Sequence, residues 1–230
     1  MGAPVISLFW HFVTTAHNWS GRNGISHRAL EHLRLSLAAM VAAALLSVPV
    51  AAWLGHIRRG GFVGQSAVNV GRAIPSLAIL ALLFPLSLRY GFGLGFWPTF
   101  AALVILAVPP MFANTYAAVR NVDPAVVDAS RGMGMKPAEV LLRVEIPGGA
   151  GLILTGVRIA ALQVIATATL GAYVGFNSLG SFINEGFGQR DDAKLLTGAV
   201  AVALCALSVD LVFGVIVRRA TRWQRKGIRL

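Results

Sequence analysis

The chain has 230 residues, 56% of them hydrophobic and only 13% charged, with a formal net charge of +11 and a mean hydropathy of +0.70. A soluble domain carries about a quarter charged residues, so that class is excluded, and apolar runs near the roughly 20 residues that cross a bilayer recur instead. No ten-residue stretches alternate with a period of two, so a transmembrane barrel is not supported. The fold expected is all-α and integral to the membrane, with the lipid bilayer itself as a partner.

In chain order, Met1 to Asn18 is apolar but short. Phe9, Trp10, Phe12 and Trp19 stand among His11, His17 and Asn18, as in a helix lying at the membrane–water interface. Residues 1–32 are read as this interfacial segment, with a turn at Ser20 to Asn23. No Lys or Arg precedes the first apolar stretch and no small-residue cleavage site follows it, so no signal peptide is expected. The histidines at 11, 17, 27 and 32 form no helical face with carboxylates and read as solvated interface residues rather than metal ligands. The first clear span is Leu35 to Leu54, followed by a turn at Gly60 and Gly61. Gly64 to Leu88 holds the second, with Arg72 and Pro75 in its first half. Tyr90 to Val119 supplies the third, interrupted by Pro109-Pro110. Gly151 to Tyr173 is the fourth and contains Arg158. Gly175 to Asp192 reads as a polar, glycine-rich loop. Leu195 to Val217 is the fifth and contains Asp210, and 218–230 is a basic tail. Cys205 is the single cysteine, so no intramolecular disulfide forms.

Five spans place the two ends of the chain on opposite sides. Arg58, Arg59, Arg120, Arg131, Lys136, Arg143 and the arginines and lysine of the tail share one side. Arg22, Arg28, Arg34, Arg89, Arg190 and Lys194 share the other. The richer side is expected to be cytoplasmic, which puts the N-terminus outside and the C-terminus inside. The distribution also accounts for the positive charge without nucleic acid, since no basic patch interleaved with aromatics is visible.

Between the third and fourth spans lies a polar interval, Asp123 to Pro147. Asp123 followed by Pro124 reads as an N-cap with proline at the first helical position. Gly132 and Gly134 are expected to break that helix and permit a reversal. Pro137 opens a second short helix over Ala138 to Val144, which Pro147, Gly148 and Gly149 are expected to end.

This interval resembles the cytoplasmic motif shared by membrane subunits of bacterial ABC importers. In that motif Glu-Ala-Ala is followed by Gly at the seventh position and by Ile-x-Leu-Pro after nine more residues. Asp128, Ala129 and Ser130 take the first places and Gly134 the seventh. Val144, Glu145, Ile146 and Pro147 fall at the required distance. Asp128 in place of glutamate is the main departure. The resemblance implies a type I importer fold, in which 123–147 is the coupling segment that sits in a cleft of an ATPase subunit. Asp128, Ala129, Ser130, Gly132, Gly134, Val144, Ile146 and Pro147 are then its coupling residues. The segments RAIPSLA (72–78), RNVDP (120–124), TATL (167–170) and LGSFI (179–183) are similar to permeases for glycine betaine, choline and carnitine. The resemblance covers about Leu33 to Arg219 within a single permease domain, 1–230. It implies two ATPase subunits that bind ATP and magnesium, a second permease (identical or paralogous), and an extracytoplasmic substrate-binding protein. The membrane implied is the bacterial cytoplasmic one.

The sequence has no GxxxxGK[ST] phosphate loop, so ATP in the P-loop manner belongs to a partner. No nucleophile–base arrangement, HExxH or paired-cysteine pattern is present, so neither an enzyme nor a cofactor or metal in this chain is expected. Pro75, Ser76, Thr167, Thr169 and Gly180 are the candidate pathway and gate residues. Two readings stand for Pro75 and Pro109-Pro110, helix kinking and gating; Gly171, Gly175 and Gly180 read either as close packing or as hinges. Phe84, Tyr90, Phe92, Phe96, Trp97 and Tyr173 lie near outer span ends, as interface anchors or as a surface for a quaternary ammonium. Arg158 and Asp210 stand roughly 12–14 Å from the same surface at 1.5 Å per residue. They either meet as an intramembrane ion pair, or each faces water separately or snorkels. The competing classes are an ion-coupled secondary transporter, a passive structural subunit, and an importer permease for another polar solute such as an amino acid. A secondary transporter would show more intramembrane carboxylates and an internal repeat, and the sequence shows neither.

Overall fold

A computed structural model describes residues 5–59, 66 and 75–221 of the chain. The Gly60-Gly61 turn, Arg72, most of the first half of the second span and the tail from 222 onward lie outside the described residues. Every regular element among those described is helical. The helices are α1 (Val5–Thr14), α2 (Ile25–His56), α3 (Ser76–Arg89), α4 (Phe96–Arg120), α5 (Pro124–Gly132), α6 (Pro137–Val140), α7 (Ile146–Thr167), α8 (Leu179–Gln189) and α9 (Asp192–Ala220).

Four of these are long and apolar enough to cross a bilayer: α2, α4, the continuous stretch Pro137–Val174 that contains α7, and α9. The second expected span is represented by α3 alone, 14 residues long, or about 21 Å at 1.5 Å per residue. The first span is longer than expected. α2 begins at Ile25, and Arg28 and His32 of its polar first turns are buried against the rest of the bundle.

The centre of the bundle is α4, packed between α2 and α7. Leu35, Ala39 and Ala43 of α2 meet Leu103, Ala107 and Met111 of α4 and Ala160 and Val164 of α7 in one buried cluster. Small residues let these backbones approach, which is how helices associate where lipid removes the hydrophobic drive. At Gly156 a Cβ would stand 2.5 Å from the Cβ of Asn114, and at Gly149 one would stand 2.8 Å from the Ala118 carbonyl oxygen. Neither position has room for a side chain.

The expected interruption of the third span at Pro109-Pro110 is absent, and α4 runs unbroken through both prolines. Packing on two sides holds the helix where the missing N–H groups would otherwise let it break. The region 175–192 is not a plain loop. It contains α8, which starts at the cap Ser178, whose hydroxyl accepts from the Gly180 N–H at 3.3 Å. Leu179 and Phe182 of α8 are buried against Ile25 of α2, and α8 and α1 pack on α9. α9 has none of its most apolar stretch buried, as a helix facing lipid requires.

Candidate functional site

The polar interval 123–147 forms one end of the bundle. The Asp123 carboxylate accepts from the Ala125 N–H at 2.9 Å, and Pro124 fills the first turn, where its missing N–H costs nothing. α5 then turns Val127 and Ser130 inward and leaves Asp128 and Ala129 exposed. The Ser130 hydroxyl donates to the Val126 carbonyl at 2.7 Å. Gly134 carries the reversal with φ of +86°, a region open to glycine and costly for other residues. Gly132 does not share this role, because it is the last helical residue of α5. Between the two glycines Met133 projects with 77% of its surface exposed. Across the elbow, the Glu139 carboxylate accepts from the Lys136 N–H at 2.9 Å, which caps α6.

α6 does not end at Pro147. The chain passes through a π-turn, Leu141–Glu145, directly into α7. Within it the Ile146 N–H donates to the Leu141 carbonyl, five residues back, and this shift of register carries the helix past a proline that has no N–H to give. Val144, Ile146 and Pro147 are half-buried in this turn and the start of α7. The residues expected to couple therefore divide into an exposed set (Asp128, Ala129, Gly132, Gly134), an inward one (Ser130) and a set built into the root of α7.

At the opposite end, α7 gives way to a 3₁₀ segment, Ala168–Val174. Pro75 is extended (φ −61°, ψ 126°) and precedes the first turn of α3. Ser76, Thr99, Thr167 and Gly171 line a void of about 10 Å³, room for a single water at most. Thr169 and Gly180 also meet, since a Cβ on Gly180 would stand 2.2 Å from the Thr169 carbonyl oxygen. Ser76 and Thr167, and separately Thr169 and Gly180, are thus brought together. Gly180→Ala places a methyl against backbone that cannot yield, and overpacking of this kind costs about 1–3 kcal/mol. Its thermal unfolding midpoint in detergent is expected several degrees below that of the natural chain, and an unchanged midpoint would show that α8 shifts freely.

Arg158 and Asp210 meet. Nε and an Nη of Arg158 each donate to one oxygen of the Asp210 carboxylate, both at 2.7 Å. The two side chains are about one-third exposed, 36% and 33%. The bidentate geometry joins the middle of α7 to α9.

Residues 43–222 match the family model described as binding-protein-dependent transport system inner membrane component. The chain belongs to this family. It is a membrane component of a transport complex and not an enzyme. The choline transport system permease protein OpuBB of Bacillus subtilis is 33% identical over 85% of this chain and 88% of that one. The carnitine transport permease protein OpuCB of Listeria monocytogenes is 36% identical over 83% and 85%. The glycine betaine/carnitine/choline transport system permease protein OpuCB of Bacillus subtilis is 32% identical over 86% and 89%. Among solved structures, an inward-facing conformation of the MetNI methionine ABC transporter superposes with a TM-score of 0.72. That likeness spans 96% of this chain and 100% of that one at 19% identity, and so shows the shared fold.

Three buried polar residues of this permease were not legible as such in the sequence. His32 was expected to be solvated but is fully buried, and its Nε2 lies 3.0 Å from the Ile165 carbonyl. Arg28 is 3% exposed, bonded to Glu185 and stacked 4.3 Å over the Phe182 ring. Glu145 stands in the motif position that accepts any residue, yet it is 2% exposed and bonded to His56 at 2.5 Å. No sequence signal joins positions so far apart. For α8 a signal existed: Ser178 ahead of Leu179, Phe182 and Ile183 has the spacing of a capped amphipathic helix.

Proposed function

We propose that this permease forms the pathway of an ATP-driven importer for a quaternary-ammonium compatible solute such as glycine betaine, choline or carnitine. The solute class rests on one observation, that relatives matching more than four-fifths of the chain carry those solutes in their names. Two permeases, identical or paralogous, enclose the pathway. Two ATPase subunits, which bind ATP and magnesium, hold the 123–147 segments, and a binding protein delivers solute outside. In this reading the arginine-rich end is cytoplasmic, the N-terminus is outside and the chain crosses the bacterial cytoplasmic membrane five times. The exposed elbow at Met133 supports the coupling role, because a protruding apolar side chain beside a rigid reversal suits insertion into a protein cleft.

The test is uptake into vesicles containing the purified complex, with labelled glycine betaine, choline and carnitine. Uptake requiring ATP inside with the ATPases is expected. Uptake driven by an ion gradient without ATP would replace this reading with secondary transport.

The pathway reading gives Ser76 a second test. Ser76, Thr99 and Thr167 close a void at the outer end of the bundle, and switching of the pathway would open it. In a Cys205→Ala background, which removes the native thiol, Ser76→Cys is expected to react with a small polar thiol reagent at a rate that changes with ATP. A thiol inert under every nucleotide condition would place Ser76 in fixed packing.

A further inference from the structure

The π-turn at Leu141–Glu145 is a weak place to transmit a displacement. Its hydrogen bonds span five residues, a register that helices adopt rarely and only in short stretches. A push on α5 and α6 would dissipate there unless something else fixed the turn. Glu145, at its end, is the residue so fixed. Its carboxylate lies 2.5 Å from Nδ1 of His56, a hydrogen bond that joins the turn to the end of α2. His56 is the last residue of α2 and is itself buried.

The surroundings make the contact stiff. Ala52 of α2, Val119 of α4, Leu141 and Ile146 close into one apolar cluster beside the pair. Gly55 brings α2 within contact of α4, where a Cβ would stand 3.0 Å from both the Tyr116 carbonyl oxygen and the Val119 Cβ. Arg120 at the end of α4 donates to the Arg58 carbonyl at 3.3 Å. A polar pair in such a setting is worth little as net stability, but removal of one partner strands the other without water. Its geometry therefore holds the turn to α2 tightly.

We propose that His56 and Glu145 form a positioning contact that ties the exit of the coupling segment to α2, so that displacement of the segment moves α2 and α4 together with α7. This inference rests on the ATP-driven reading above. The quantity that reports it is solute transported per ATP hydrolysed by the assembled complex in vesicles. A purely structural contact would lower transport and hydrolysis together, in step with the amount of complex, and leave that ratio unchanged.

In His56→Ala and Glu145→Ala the ratio is expected to fall at least about fivefold, the lower bound of usual coupling energies, while hydrolysis per complex persists. The double variant is expected to be no worse than either single one, since the two residues act as one contact. His56→Asn, which keeps a donor near the Nδ1 position, and Glu145→Gln, which keeps the shape, are expected to recover part of the ratio and also serve if the alanine variants fail to fold. An unchanged ratio in Glu145→Gln and His56→Asn together with either foldable alanine variant, or additive losses in the double variant, would overturn the proposal. A natural complex that transports without ATP would instead refute the importer reading and leave the contact as packing.

Discussion

Replacing Gly134 with valine is expected to abolish solute-stimulated ATP hydrolysis while leaving the permease in the membrane. The reason is backbone conformation and not space. Gly134 has φ of +86°, and a Cβ there would meet nothing within 4 Å. An L-residue in the left-handed region costs roughly 1–2 kcal/mol, and a β-branched one fits it least well. That cost is a factor of roughly 5–30 in a local equilibrium, enough to turn the elbow elsewhere and move Met133 out of place. The membrane-spanning helices share no contact with that Cβ, so insertion is expected to be normal. Gly132 supplies the control. It is helical and also has open space around it, so Gly132→Ala is expected to retain hydrolysis and to favour α5 by about 1 kcal/mol. Equal effects of the two substitutions would mean that the elbow does not depend on the left-handed residue.

Reversal of either charge in the Arg158–Asp210 pair is expected to deplete assembled complex severely. Each side chain is about one-third exposed in a helix long and apolar enough to cross the membrane, where a like-charge pair at the same depth loses its counter-ion at high cost. The fork of Arg158 reaches both oxygens of Asp210 at 2.7 Å, a geometry that lysine cannot reproduce. Arg158→Asp and Asp210→Arg are therefore expected to lose most of the complex recovered in detergent. The exchanged double variant is expected to regain part of it, because opposite charges are restored between the same helices. Single reversals with full recovery would show that the two groups are solvated independently. Arg158→Lys gives a finer reading: the charge survives, the second hydrogen bond does not, and an intermediate yield is expected.

What the sequence determined by itself follows from local chemistry. Apolar length fixes a helical membrane protein, with helices long enough to cross a bilayer. Asp123-Pro124 and the glycine at 134 specify a cap and a reversal within a few residues of themselves, and the structure places both where those rules require. The spacing of Ala129, Gly134 and Pro147 carried the family, since a motif is a local pattern. Other local rules lost to packing. Pro109-Pro110 does not break α4 because α2 and α7 press on it from both sides, and Pro147 does not end the helix opened at Pro137 because a π-turn shifts the hydrogen-bond register ahead of it. Gly175 to Asp192 looked like a loop until its cap and buried Leu179 and Phe182 made α8.

Only the tertiary structure decided which distant groups share a partner. His56 and Glu145 are 89 residues apart, Arg158 and Asp210 are 52 apart, and Arg28 and Glu185 are 157 apart. For Arg158 and Asp210, equal depth on antiparallel spans narrowed the choice to meeting or facing water separately. Rotation about the helix axis, which sets which face each side chain occupies, is fixed by small residues such as Gly149 and Gly156 against α4. For His56 and Glu145 no depth argument existed, because both stand at helix ends whose relation depends on how the helices close together. Charge and apolar length are properties of a segment and survive in the sequence. A hydrogen bond between two buried side chains is a property of packing and does not.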